Sequence, residues 1–234
     1  KAMKKILLFC IMAIAAISMS AQNDVTTFLG IPVDGSKSEM KQKLVSKGFV
    51  PKKVGENEFL EGEFNGTKVH VFIVTNNNKV YRIMLCDVIT QNEADIKIRF
   101  NRLVNQFENN KRYTSIGNYT LSDDEKISYE MAVHQKNYDA SFCQVPDVEK
   151  IDTLALQEEL RNELLSKYTE DELKNPSEEK SKEIQAETIK IGLKIGAKLM
   201  LKKSVWFRIC GSYGEYFITM YYDNEYNHAN GEDL

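Results

Sequence analysis

An α+β fold, with antiparallel sheets and helices packed on one face, is predicted by three features of the 234-residue sequence. Apolar and polar residues alternate in several short segments, which is the period of a half-buried strand. Two other segments carry apolar residues at helical spacing, and each precedes a group of such strands. Turn dipeptides such as Asn65-Gly66 separate neighbouring strands, which indicates hairpins and antiparallel pairing. We interpret this order as a duplicated α-β-β-β unit plus a helical insert.

The first repeat opens with a helix. Ser36 and Glu39 have the spacing of a capping box. Met40, Leu44 and Val45 then fall on one helical face, and Gly48 is a typical helix end. Three strands are predicted to follow, over residues 59–64, 67–75 and 80–88.

The second repeat has the same order. Its helix is predicted over residues 93–109 from apolar residues at helical spacing, namely Ile96, Phe100, Leu103, Val104 and Phe107. Two strands are predicted to follow over residues 127–134 and 138–145. The chain closes with two aromatic strands, 205–210 and 216–222, joined by a turn at residues 211–214.

Between these strands, residues 147–203 form a charge-rich insert that is predicted to be mainly helical. Leu156, Leu160, Leu164 and Tyr168 indicate one helix, and Thr169 with Glu172 caps a short second helix. Residues 189–202 leave two interpretations open. Their strict alternation of apolar and other residues is typical of a strand, whereas their continuity with the polar helix before them favours a basic helix.

Five lysines concentrate positive charge in this segment: Lys190, Lys194, Lys198, Lys202 and Lys203. On a helix, they would suit an anionic membrane surface or an acidic partner. On a strand, they would protect an exposed sheet edge from pairing with another chain.

The N-terminal residues predict export. In residues 1–21, lysines precede an uncharged apolar run and then small residues, the pattern of a secretory signal peptide with cleavage after Ala21. The apolar run is too short for a membrane span, which needs about 20 residues. We therefore divide the chain into a signal peptide (1–21), an α+β region (22–146), the insert (147–203) and a C-terminal aromatic hairpin that completes the sheet (204–234).

A periplasmic or secreted location disfavours enzymes that need ATP or nicotinamide cofactors. The formal charge of −3 gives no indication of a nucleic-acid partner. Removal of the signal peptide takes away three lysines and makes the mature chain more acidic. Its remaining cysteines, Cys86, Cys143 and Cys210, allow at most one internal disulfide, and their apolar surroundings favour buried thiols over catalytic ones.

Several segments resemble sequence motifs of catalytic or ligand-binding sites but lack a residue that the motif requires. Residues 30–38 resemble a phosphate-binding loop, but Ser36 stands where lysine is required. Residues 223–234 begin like a calcium loop, but His228 and Leu234 occupy positions that need glycine and glutamate. His70, His134 and His228 have no metal-ligand spacing, and the turn at 211–214 lacks the spacing of a serine-hydrolase elbow. We therefore assign no catalytic, cofactor-binding or metal-binding residues.

A resemblance to a known family lies at the two ends of the chain. Residues 28–36 (FLGIPVDGS) with 43–49 (KLVSKGF), and the closing residues 221–224 (YYDN) with 231–234 (GEDL), resemble uncharacterised exported proteins of Bacteroidetes-type Gram-negative bacteria. The resemblance implies export and an α+β fold. The family has no known activity, so no site residue is carried over.

Aromatic residues are concentrated near the C-terminus, and they leave two roles open. They form either a sheet core or an exposed platform for glycan or peptide. Because neighbouring strand residues point to opposite faces, Tyr221 and Tyr222 cannot both be in the core. The sequence favours a non-enzymatic binding module of the cell envelope that takes a protein or glycan partner. The alternative is a periplasmic hydrolase acting on glycan or peptide.

Overall fold

The computed structural model describes residues 24–228, which divide into two compact units. The sheet unit contains residues 25–146 and 199–228, and the helical unit contains Asp24 and residues 147–198. The predicted α+β class is confirmed. The signal peptide predicted over residues 1–21 lies outside the described residues.

The first half of the sheet unit contains one helix and six strands. In chain order they are β1 (Thr27–Phe28), β2 (Ile31–Pro32), α1 (Lys37–Ser46), β3 (Val50–Val54), β4 (Asn57–Phe64), β5 (Thr67–Asn76) and β6 (Lys79–Asp87). The second half contains α2 (Glu93–Glu108), β7 (Tyr113–Ser115), α3 (Ile127–His134), β8 (Asp139–Gln144), β9 (Ser204–Ser212) and β10 (Glu215–Asp223). Between β8 and β9, the chain forms α4 (Thr153–Leu165), α5 (Glu170–Lys174) and α6 (Glu178–Leu201).

Eight strands form one antiparallel sheet in the order β3-β4-β5-β6-β10-β9-β8-β7. Each half is a meander of four consecutive strands that follows a helix, α1 in the first half and α2 in the second. The halves join where their last strands, β6 and β10, pair with each other. The prediction placed both three-strand units within residues 22–146. Each half instead has four strands after its helix, and the second half includes the C-terminal strands β9 and β10. The last strand, β10, lies in the middle of the sheet.

The edge strands β3 and β7 were not predicted because their sequences lack the signal of a half-buried strand. All five residues of β3 are exposed, so they have no alternation of apolar and polar side chains. Strand β7 is only three residues long. Pro51 and two lysines in β3 are typical of an edge that resists pairing with another chain.

Both α1 and α2 pack on the same face of the sheet, which we call the inner face. Met40 and Leu44 of α1 and Phe100 of α2 belong to one buried cluster with the inward-pointing residues of the central strands. Val45, predicted on the same helical face, is instead 43% exposed. The ring of Phe100 meets that of Phe207 edge-on at 5.1 Å. Each buried side chain of this size contributes about 1.5–3 kcal/mol to stability.

One buried ion pair attaches α2 to the sheet. Asp87 at the end of β6 accepts hydrogen bonds of 2.5 and 2.6 Å from Arg99. The same carboxylate accepts the backbone amide of Ile218 in β10. A buried carboxylate without these donors would cost several kcal/mol, so the pair determines where α2 lies along the central strands.

The strand predicted over residues 127–134 is wrong, because this segment is the helix α3. Ile127 and Met131, one turn apart, both contact the core. Tyr129 and Val133, which a strand would place beside them, are exposed. The helix ends at Gln135, which adopts a left-handed conformation with φ of 53°. The strand predicted over 138–145 is confirmed as β8.

The structure of the insert decides between a strand and a helix for residues 189–202. Residues 189–201 belong to the 24-residue helix α6, so the strand interpretation is wrong. Ile191 and Ile195 are buried at helical spacing, whereas Ile189 and Leu193 are exposed. Among residues 24–228, none of the helices is sufficiently long and apolar to cross a bilayer.

Candidate functional site: the outer face of the sheet

The outer face is the sheet surface opposite α1 and α2, and it carries side chains from most of the strands. On β10, Tyr222 is buried on the inner face, whereas Tyr221 is half-buried on the outer face. On β9, Phe207 is buried inside, whereas Trp206 points outward. The prediction that Tyr221 and Tyr222 lie on opposite faces is confirmed, and the aromatic residues serve partly as core and partly as surface.

A row of large side chains crosses the middle of the outer face. Direct cross-strand pairs connect Phe72 to Met84, Met84 to Tyr221, and Tyr221 to Trp206. The ring of Phe59 continues the row on β4, with its centroid 5.7 Å from that of Phe72. With a strand spacing of about 4.8 Å, the row from β4 to β9 is on the order of 20 Å long. We call this set the aromatic row.

The closest ring contact in the aromatic row is between Trp206 and Tyr221. Their rings stack with centroids 4.0 Å apart and planes 17° from parallel. The guanidinium carbon of Arg82 lies 4.9 Å from the centroid of Tyr221, and that of Arg208 lies 5.3 Å from the centroid of Trp206. Stacking and cation–π attraction each contribute about 0.5–1.5 kcal/mol here, so this cluster of four side chains is held in one arrangement.

Two carboxylates hold the arginines in position. Asp223 accepts two hydrogen bonds from Arg82, of 2.6 and 2.8 Å, and a third of 2.8 Å from Nε1 of Trp206. Asp139 accepts a hydrogen bond of 2.7 Å from Nε of Arg208. These hydrogen bonds raise the pKa of both arginines above its ordinary value. Both guanidinium groups are therefore charged at any physiological pH.

A polar row lies beside the aromatic row. Cross-strand pairs place the following side chains in line from β4 to β8: Glu61, His70, Cys86, Thr219, Arg208 and Asp139. Nε2 of His70 lies 3.6 Å from a carboxylate oxygen of Glu61. The outer face therefore combines an apolar row with charged groups along its side.

Cys86, Cys143 and Cys210 are free thiols. Cys86 on β6 and Cys210 on β9 are separated by the intervening β10, about 9.6 Å from strand to strand, which is too far for a disulfide. Thr219 lies between them, with its hydroxyl 3.4 Å from Sγ of Cys210. Burial raises the pKa of Cys86 and Cys143. These two thiols are therefore protonated at neutral pH, which does not suit a nucleophile.

The residues that partly match catalytic or ligand-binding motifs stabilise the fold instead. Residues 30–36 form a turn and the cap of α1, in which Ser36 and Glu39 complete the predicted capping box. Asp223 binds Arg82 and Trp206 as described above, and the 211–214 segment contains the β9–β10 turn. His134 contacts Glu130 on α3 at 2.8 Å. Within residues 24–228, no group of three or more histidine, cysteine, aspartate or glutamate side chains could hold a metal ion.

The lysines of residues 190–203 lie on α6 and in the segment after it. Lys194 and Lys198 form ion pairs of 2.9 and 2.8 Å with Glu163 and Glu159 of α4. Lys202 lies over the ring of Tyr226, and Lys203 is buried. Because Lys194 and Lys198 are paired with carboxylates, the positive field available to an anionic surface is weaker than the sequence suggests.

Carboxylates that line two surface cavities do not resemble general acids. Glu125 lines a cavity of about 370 Å³, and hydrogen bonds from Lys136 and Tyr138 lower its pKa. Glu163 lines a cavity on the surface of α4, and its hydrogen bond with Lys194 lowers its pKa. A glycosidase acid needs the opposite shift, a raised pKa in an apolar pocket.

Sequence reasoning identified the aromatic residues but not the cluster they form. Arg82 and Arg208 gave no local signal, because a charged residue at an outward position is ordinary in an alternating strand. Comparisons with protein-family models, curated proteins and solved structures find no match for this chain.

Proposed function

We propose that this chain is an exported, non-enzymatic protein-binding module of the bacterial cell envelope, and that its partner is a folded protein that docks on the outer face. The observation that carries the proposal is the stacked cluster of Trp206, Tyr221, Arg82 and Arg208. Tryptophan, tyrosine and arginine dominate the energetics of protein interfaces. Side chains that are already held in place lose little entropy on binding.

The arrangement of the rings favours a protein over a glycan. A sugar ring stacks flat on an open aromatic face, whereas Trp206 and Tyr221 cover one face of each other. Arg82 and Arg208 lie over the same two rings. The rest of the aromatic row, which includes Phe72 and Met84, supplies the apolar surface that the core of a protein interface requires.

The edges of the sheet do not offer a comparable site. A peptide that extends the sheet needs a free strand edge. Pro51 removes one donor from the edge strand β3, and Lys52 and Lys53 follow it. The opposite edge, β7, spans three residues. Docking on the face of the sheet is therefore the arrangement that the fold favours.

Photo-crosslinking of the full chain in cells of its native host tests this proposal. A photoreactive phenylalanine in place of Phe72 is expected to give one discrete protein adduct, because Phe72 lies in the aromatic row. The same probe in place of Tyr213, which is fully exposed in the β9–β10 turn, serves as the matched control and is expected not to give that adduct.

A second variant identifies the cluster as the source of affinity. Trp206→Ala, combined with the probe at residue 72, is expected to reduce the adduct at least tenfold, since hot-spot truncations cost about 2 kcal/mol or more. An adduct that persists in Trp206→Ala, or that forms equally from residue 213, would refute docking on the outer face. Trp206-dependent binding to purified cell-wall glycan without a protein adduct would show that the partner is a glycan.

A further inference from the structure

A second candidate site lies at one end of the sheet unit. A cavity of about 590 Å³ opens where the β1–β2 turn, the β4–β5 turn and the C-terminal end of α2 come together. Small-molecule sites have volumes of about 300–1,000 Å³. This cavity is separate from the aromatic row, so the inference drawn from it does not rest on the proposed function.

The interior of the cavity is aromatic with hydroxyl groups. Phe64 and Phe107 line it together with the rings of Tyr113 and Tyr222. Gln144 donates a hydrogen bond of 3.2 Å to the hydroxyl of Tyr113. Burial raises the pKa of Tyr222 well above its ordinary value, so its hydroxyl stays protonated. A large apolar side chain would find apolar contacts here, beside the hydroxyl of Tyr113.

Two opposite charges also line the cavity. Glu63 and Arg112 are both exposed and both line it. Within residues 24–228, neither side chain forms an ion pair, and Nε of Arg112 donates a hydrogen bond of 3.4 Å to the side-chain oxygen of Asn110. The two charges do not neutralise each other, so the cavity presents a carboxylate and a guanidinium to the same ligand.

Leu29 provides an independent observation. Leu29 and Gly30 both have positive φ, 51° and 78°, and so do Asn65 and Gly66, 53° and 72°. A two-residue turn with positive φ at both residues favours Asn-Gly, because a bulky side chain is strained at positive φ. Leu29 and Asn65 line the same cavity, and Leu29 is 40% exposed. A strained, exposed leucine at a cavity indicates a role other than stability.

We propose that this cavity binds a short apolar peptide with free termini. In this arrangement the α-ammonium group pairs with Glu63 and the terminal carboxylate pairs with Arg112. The apolar side chain packs between Phe64, Phe107 and Leu29. Tyr113, which is half-buried, offers its hydroxyl to the peptide backbone.

Calorimetric titration of the exported chain with the dipeptide leucyl-phenylalanine tests this site. The free dipeptide is expected to bind saturably, and its N-acetylated and C-amidated forms are expected to bind about tenfold more weakly or worse, since each loses one charged hydrogen bond. Failure of the free dipeptide to saturate at millimolar concentration, or equal binding of the blocked forms, would overturn the proposal.

Variants assign each terminus to its partner. Glu63→Gln and Arg112→Gln are each expected to weaken the free dipeptide about tenfold. The matched controls Glu56→Gln and Lys111→Gln change exposed charges outside the cavity and are expected to leave binding unchanged. Equal losses in controls and test variants would contradict specific recognition. Circular dichroism of each variant serves to check that it is folded.

Leu29→Asn separates binding from stability. Asparagine suits the turn, so this variant is expected to raise the midpoint of thermal unfolding while weakening the dipeptide severalfold. A variant that is more stable and binds the dipeptide as tightly as the parent chain would contradict the role of Leu29.

Discussion

Gly62 shows how closely the inner face of the sheet is packed. A Cβ at this position would lie 2.5 Å from Cδ1 of Phe49, a buried side chain with 3% of its surface exposed. Phe49 therefore fills the space that any other residue at position 62 would need.

We expect Gly62→Ala to lower the free energy of unfolding by about 1–3 kcal/mol, the usual cost of overpacking a core. Urea denaturation of the purified protein measures the change. Gly192→Ala is the matched control, because a Cβ there meets nothing within 4 Å, and it is expected not to destabilise. An unchanged unfolding midpoint for Gly62→Ala would mean that Phe49 moves aside without cost.

The residue scale also shows where sequence reasoning succeeds. Alternation along a strand is a local property, and it correctly separated Tyr221 from Tyr222. The choice of which face is buried is not local. Phe217 and Ile218 are both apolar, yet only Ile218 is buried, because α2 and α3 cover one face of the sheet.

At the scale of elements, the capping box at the N-terminus of α1 makes a contribution to stability that can be measured. The Ser36 hydroxyl accepts the amide of Glu39 at 3.3 Å, and the Glu39 carboxylate accepts the amide of Ser36 at 3.1 Å. Ser36→Ala is expected to destabilise the protein by about 1 kcal/mol, because an amide of the first turn loses its acceptor. Chemical denaturation measures the loss, with Ser38→Ala in the same turn as the control. Equal stability of the two variants would show that the cap contributes nothing.

The same cap predicts a pH dependence. The backbone hydrogen bond from Ser36 lowers the pKa of Glu39, so the folded state holds this proton less tightly than the unfolded state. Its stabilising effect is therefore present at neutral pH and is lost as the pH falls through the titration range of the carboxyl group. The difference in unfolding free energy between the parent chain and Glu39→Gln is expected to shrink from pH 7 to pH 4. A constant difference would contradict this.

Elements with a strong helical period were predicted correctly, and elements with short or mixed patterns were not. In α2, five buried residues at helical spacing left no alternative. In α3 only Ile127 is fully buried, so the eight-residue pattern does not distinguish a helix from a strand. Helix α6 contains more apolar residues than it buries. The exposed apolar residues lie between the buried ones in the sequence, so the segment from Ile189 to Leu201 alternates by chance and resembles a strand.

At the scale of the whole molecule, export is the first property to test. The N-terminal pattern predicts removal of residues 1–21 after Ala21, since small residues at this position suit signal peptidase. Intact-mass measurement of the protein collected from the periplasm or medium is expected to give a chain that begins at Gln22. A mass that includes residues 1–21 would contradict cleavage at this position.

The sequence by itself determined the α+β class, the cap of α1 and the opposite orientation of neighbouring strand residues. All of these depend on periodicity and spacing within a few residues. Only the tertiary structure decided that β10 lies beside β6 and that Arg82 meets Asp223, 141 residues away. The aromatic row and the cavity at the end of the sheet follow from the same pairing. Every strand has the same period of two, so periodicity does not specify which strands are neighbours. The packing of α1 and α2 on one continuous sheet specifies it instead.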